Sequence, residues 1–261
     1  MKYEELLEGN LKYGTTKEDI IKRNGYEKIL ENVVIAPWWK HEIFDNSNLK
    51  MEQVSDYLYN YYGDDIEFSF LELRAIGAPA IMEYALPLGV TKCKNIVFVG
   101  SSGALDESIK IGDIIVPKYS ICGEGVSRYL NSNLEDEFLK EEYPSKEMTD
   151  NLLKLLDENK IEYHYVPNFT VDTIFGQYAH LDQIIGYGAK SIEMETAIVF
   201  KSCKMMNINV TAIFCISDNT IANKSLFSGR TDEDKEKRRR VRSEIIPKIT
   251  IDLFKMMNKK D

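Results

Sequence analysis

SIEMETAIVFKSCKMMNINVTAIFCISD, residues 191–218, decides how the rest of the chain is read. It opens on two carboxylates flanking a methionine, Glu193-Met194-Glu195. Helical spacing follows, and then the apolar, β-branched run 210–216 that reads as a buried strand. The run stops at Ser217-Asp218-Asn219. An acidic cluster ending one strand and a single aspartate ending the next are expected side by side in a parallel or mixed sheet. Ligand crevices in open α/β sheets form at strand ends.

Composition narrows the classes around that stretch. The 261 residues are 44% hydrophobic, enough for a sizeable core in one large α/β domain. With 33 basic against 42 acidic residues the formal charge is −9, which argues against sequence-independent nucleic-acid binding. Cys93, Cys122, Cys203 and Cys215 form no CxxC pair and no metal spacing, and they read as buried reduced thiols of a cytoplasmic protein. His41, His164 and His180 are scattered, so neither a metal nor another cofactor is expected. The first residues carry no apolar signal region, and no apolar run approaches about 18 residues, so no membrane partner is expected.

Outward from the central stretch, strand and helix signals alternate. Residues 1–30 read as a polar extension, with Thr16 capping a helix from Lys17. Residues 32–36 (NVVIA) are a short strand that runs into Pro37, Trp38, Trp39, Lys40, His41 and Glu42. Residues 51–62 read as a helix and 66–73 as a strand. Gly77 and Pro79 open a further helix. Residues 95–99 (NIVFV) are a buried strand ending in Gly100-Ser101-Ser102-Gly103-Ala104, small residues that let backbone N–H groups approach an anion or a sugar. A strand follows Gly112, and the polar stretch 138–159 favours helix. Residues 161–167 are strand-like, and a helix is expected near 180–187. Thr231 caps a long helix whose early acids and later bases suit the helix dipole. Its basic run, 235–242, reads as a solvated face. The whole reads as a single α/β domain spanning 1–261: an α/β/α sandwich on a mixed central sheet.

Six pieces in this order, VGSSGAL (99–105), KIGDIIVP (110–117), GEGVSRYL (123–130), VDTIF (171–175), IEMET (192–196) and ISD (216–218), resemble the nucleoside phosphorylase superfamily. That superfamily includes purine nucleoside and uridine phosphorylases and methylthioadenosine-type nucleosidases. The resemblance implies a mixed, partly barrel-like central sheet and a site shared across a homo-oligomer interface, with a nucleoside and phosphate as substrates. It implies that Met194, Glu195 and Ser101 hold the ribose. A carboxylate suits paired hydroxyls, because it only accepts hydrogen bonds and serves two donors at once. It implies that Asp218, assisted by Arg230, protonates the purine N7 as the base leaves. Phe175, Ile174 and Gln177 would face the base, and Gly100, Ser101 and Ser102 the phosphate. Asp218 points to a purine, whereas Gln177 resembles the base-reading glutamine of uridine-specific members.

The pattern departs where phosphate should bind. An arginine usual before the glycine-serine motif is Phe98 here, and the loop after the first strand carries no arginine. Lys40, Arg74, Arg128 or a neighbouring subunit are the candidates to replace those charges. Purine nucleoside phosphorolysis to free base and ribose 1-phosphate is the expected activity. Nucleoside hydrolysis (with Glu42 as a candidate base), uridine phosphorolysis and non-catalytic nucleoside binding are the alternatives.

Overall fold

The computed structural model describes residues 1–226 and 228–259. Ten strands form one sheet: β1 (Asn32–Pro37), β2 (Lys50–Gln53), β3 (Leu58–Tyr62), β4 (Glu67–Leu73), β5 (Asn95–Ala104), β6 (Ile114–Gly123), β7 (Glu141–Glu142), β8 (His164–Val171), β9 (Ser191–Glu193) and β10 (Asn209–Asn219). Strands β5, β10, β6, β8 and β9 close on one another as a mixed barrel, because β5 pairs both β10 and β9. From β5 the sheet continues through β1, β4 and β3 to β2, with β7 attached to β6.

Period-two alternation builds the layers. Val33 and Ile35 of β1, Ile96 and Phe98 of β5, and Ala212, Phe214 and Ile216 of β10 face one core. Val34, Ala36, Val97, Val99, Ile213 and Cys215 face the other. Helices Ala78–Ala85 and Thr196–Met206 cover the first face, and helices Lys146–Glu158 and Ile246–Asn258 the second. The polar N-terminal segment forms two short helices, Tyr3–Lys12 and Lys17–Arg23, and is tied down where it follows them. Tyr26 and Ile29 enter the first core, and the Tyr26 hydroxyl donates to the Tyr84 carbonyl at 2.9 Å. Thr16 caps the second of these helices, accepting from the Asp19 N–H at 3.1 Å.

Two expectations are corrected. Residues 51–62 hold the hairpin of β2 and β3 rather than a helix. Tyr59, Tyr61 and Leu58 are buried in the sheet, and an aromatic-rich segment with that environment fits a pleated surface better than a helix. Strands β9 and β10 are not neighbours either: β5 runs between them, with Gly103 opposite Ile192 on one side and Asp218 on the other.

The position of β5 opens the sheet. On one edge its register with β1 ends at Phe98, and its register with β9 begins at Gly103. The chain after β1 turns away between these two pairings, through Trp38 in a left-handed conformation (φ 57°). A cavity forms in the gap.

Candidate active site

The cavity holds about 230 Å³. Its acidic wall comes from the β9-to-helix junction. Glu193 ends β9 pointing inward, and its carboxylate is fully engaged. One oxygen accepts from Asn168 Nδ2 (2.8 Å) and Thr170 Oγ1 (2.7 Å), the other from the backbone N–H groups of Glu195 (2.7 Å) and Thr196 (2.8 Å). Those last two are free amides at the start of helix Thr196–Met206, so Glu193 caps that helix. Glu195, the residue just before the helix, has one hydrogen-bond partner outside its own turn among the described residues. Its Oε1 accepts from the Gly77 N–H, and the positive φ of Gly77 (94°) is a conformation that glycine adopts without strain. Burial and then the neighbouring Glu193 charge push the Glu195 carboxyl up to about 8. Burial also raises Glu193, against the pull of its four donors.

Asp218 sits at the far end of β10. The β10–β5 register shifts between Ile216 and Asp218, and this bulge re-aims the aspartate so that it lies opposite Gly103. A side chain at Gly103 would meet Asp218 Oδ2 at 3.1 Å and Ile192 at 3.2 Å, so the missing Cβ is what lets the acid lie over the strand. Asp218 is buried, and burial raises its pKa. Three things oppose this: a 2.6 Å hydrogen bond from Ser217 Oγ, the charge of Arg230, and the charge of Arg238. Arg230 donates to the Ser217 and Leu226 carbonyls, beside the acid and behind the cavity wall.

The opposite end is cationic. Ser101 lies two residues before Gly103 on the same face of β5, about 6.6 Å away at the rise of an extended chain. Its hydroxyl oxygen accepts from Trp39 Nε1 (3.1 Å) and Arg238 Nη2 (3.3 Å). Arg238 and Arg242 both line the cavity, and the Arg242 guanidinium stacks over Trp39 at 5.2 Å. Phe98 and Phe214 complete the wall.

The predicted site residues divide. Met194, Glu195, Ser101, Gly100, Asp218, Ile174 and Gln177 line the cavity. Phe175 does not: one residue past Ile174 in a short helix, its ring faces solvent at 93% exposure. Ser102 does not either. The strand's alternation turns it away, and its hydroxyl donates to the Ile192 carbonyl at 3.0 Å. Lys40 and Glu42 lie on an outer groove that adjoins the cavity at Arg238 and Arg242, Arg74 is exposed beside Glu72, and Arg128 bonds its own loop at Gly125. The basic run is not wholly a solvated face, since Arg238 and Arg242 turn inward. Their four-residue spacing, one helical face, was the signal for this. His41, Glu42 and Glu72 have ligand atoms within 4.8 Å of one another, but the His41 ring is held by Glu72 (2.7 Å) and stacks on Tyr59 (3.8 Å).

Among the described residues, no helix is long and apolar enough to cross a membrane, and all four cysteines are buried and unpaired. Residues 68–248 match the family model of the phosphorylase superfamily. The chain is 26% identical over 155 residues to a DeoD-type purine nucleoside phosphorylase of Clostridium perfringens, covering 56% of this chain and 61% of that protein. It is 25% identical over 182 residues to a guanosine phosphorylase of Halorubrum lacusprofundi, covering 68% and 71%. The fold is like that of a uridine phosphorylase from Vibrio fischeri, with a TM-score of 0.68 at 18% identity over 88% of this chain and 93% of that one.

Proposed function

The chain belongs to the phosphorylase superfamily, and from that membership we propose that it cleaves the N-glycosidic bond of a purine nucleoside with phosphate, giving free base and ribose 1-phosphate. The observation that carries this reading is Asp218: a buried carboxyl, raised by desolvation, at one end of a cavity whose other end is cationic. A carboxyl whose proton is held more tightly because of burial is better suited to donate it than an exposed one. In this account it protonates N7 of the purine while the electron pair of the breaking C1′–N9 bond passes into the base. A phosphate oxygen then bonds to C1′ from the Ser101 end, and Asp218 recovers its proton from solvent.

Glu195 accepts from the ribose hydroxyls, with Met194 packed beside it, and its charge favours the positive charge developing on the sugar ring. Glu193 fixes the loop that presents both. Ile174 and Gln177 form the base wall, and Gly100 and Ser101 contribute to the phosphate end. Arg230 steadies Asp218 through its electrostatic field. Trp38, Ile76 and Phe175 are exposed by 61%, 47% and 93%, around and beside the cavity mouth, an apolar rim that suits closure by a second copy of the chain. Phe175 would then act, if at all, at that contact. The four buried thiols fit a reducing cytoplasm.

Hydrolysis is the second reading, favoured by Phe98, an apolar ring lining the cavity where the resemblance implies a phosphate-binding arginine. The test is base release from inosine, adenosine, guanosine and uridine with and without phosphate. Phosphate-dependent release from the purine nucleosides is expected. Equal release without phosphate contradicts phosphorolysis, and preference for uridine contradicts the purine assignment.

A further inference from the structure

The basic run at the start of the C-terminal helices is divided by its partners. Lys235 pairs with Asp232 (2.9 Å), Lys237 with Asp113, Arg239 with Glu236 (2.6 Å) and Arg240 with Glu244 (3.9 Å). Among the described residues, Arg238 and Arg242 are the cations of this run with no carboxylate within salt-bridge distance. They are also the two that face the cavity. Arg238 Nε is buried with no hydrogen-bond partner, a cost a folded protein normally avoids. Two like charges four residues apart on one helical face repel each other, and burial and then the charge of Arg238 lower the pKa of Arg242. Two half-buried guanidinium groups with no carboxylate partner within salt-bridge distance, one with a buried unbonded N–H, are suited to hold an anion between them.

The surroundings fit a tetrahedral oxyanion. Ser101 Oγ already accepts from Trp39 and Arg238, so its own proton is free to donate. The Arg242 guanidinium lies over the Trp39 ring, a cation–π contact that helps to position it. The helix widens to a π-turn at residues 241–245, next to Pro247, which has no N–H to continue the ladder. Arg238 and Arg242 also line the outer groove of about 380 Å³, where Lys40, Lys235 and Arg239 outnumber the single acid Glu42, so a net basic approach leads to the same two side chains.

Resting on the phosphorolytic reading for its role, we infer that Arg238 and Arg242 hold inorganic phosphate against Ser101, supplying from the C-terminal helix the charge that Phe98 and the loop after β1 do not. The anion enters through the outer groove and can bind before or after the nucleoside.

The test is calorimetric titration of inorganic phosphate into the full-length wild type and the Arg238→Gln, Arg242→Gln and Arg240→Gln variants, with a carbon-linked, uncleavable purine nucleoside titrated in parallel. Losing a charge-assisted fork is expected to weaken phosphate about 10–100-fold in the first two variants. Arg240→Gln and the nucleoside affinity should not change. Should a Gln variant fail to fold, Arg238→Lys keeps the charge without the fork and is expected to bind phosphate several-fold more weakly. Wild-type phosphate affinity in both Arg238 and Arg242 variants, or no phosphate binding by the wild type, overturns the inference. The two readings fail separately. Phosphate-dependent turnover with an unchanged phosphate KM in both variants overturns the subsite alone. Phosphate binding lost with Arg238 and Arg242, but turnover indifferent to phosphate, overturns phosphorolysis alone.

Discussion

Lowering the pH should loosen nucleoside binding steeply, and Glu195 sets the size of the effect. The ribose hydroxyls are donors and need an ionised acceptor. In the empty cavity Glu195 is pushed up to about 8 by burial and by Glu193. At pH 6 about one molecule in a hundred then carries the carboxylate, at pH 8 about half, and at pH 9 nearly all. Binding that selects the ionised form therefore weakens about tenfold, or about 1.4 kcal/mol, for each unit below pH 8. Between pH 9 and pH 6 the dissociation constant of the carbon-linked purine nucleoside should rise roughly 90-fold. The sign is that of a raised acid, with affinity gained as pH rises through about 8 and flat above it. Calorimetry without phosphate measures this. Repeating the titration at pH 7 in two buffers of different ionisation enthalpy should register close to one proton released per nucleoside bound. Glu195→Gln removes the titration and should flatten the profile. A dissociation constant constant within about twofold from pH 6 to 9, with no proton release, refutes the assignment of Glu195 as the ribose acceptor. So does a slope that survives in Glu195→Gln.

Two further outcomes follow from neighbouring acids. Asp218→Asn removes the proton donor while keeping the shape, and kcat on purine nucleosides should fall about 10²–10⁴-fold in steady-state assays, with nucleoside affinity little changed; near-wild-type turnover would rule out its role as donor. Glu193→Ala leaves four buried donors without their acceptor, two of them backbone amides at a helix start. At about 1–3 kcal/mol for each unsatisfied group, partly relieved by relaxation, a loss of at least about 3 kcal/mol is expected. That corresponds to a fall of about 6–12 °C in Tm for a chain of this size. A shift under 2 °C in thermal unfolding would contradict the capping role.

What could be read from the sequence was what is local or periodic. The apolar runs 95–99 and 210–216 gave β5 and β10, and the abrupt ends of these strands gave Gly100, Ser101 and Asp218. Glu195 was legible as an acid at a strand-to-helix junction. Three features depend on distant partners and were not legible. That β5 separates β9 from β10 is a matter of pairing across the chain. The aromatic run of β3 carries a helix-compatible spacing, and only burial of Tyr59 and Tyr61 in the sheet decides against it. In the run 235–242 every residue is basic or polar up to Val241, so composition does not say which cations face inward. Docking of the helix against Trp39 and Ser101 selects Arg238 and Arg242. Phe175 marks the reverse case, a residue singled out by resemblance whose ring turns out to solvent one position past the wall.

Whether phosphate is the nucleophile on a purine nucleoside is decided by running the reaction on inosine in ¹⁸O-labelled water with unlabelled phosphate and identifying the sugar product by ³¹P resonance and mass. Phosphorolysis yields ribose 1-phosphate with no label at C1′, formed in step with hypoxanthine. Free ribose carrying ¹⁸O at C1′ would contradict it and identify water as the nucleophile.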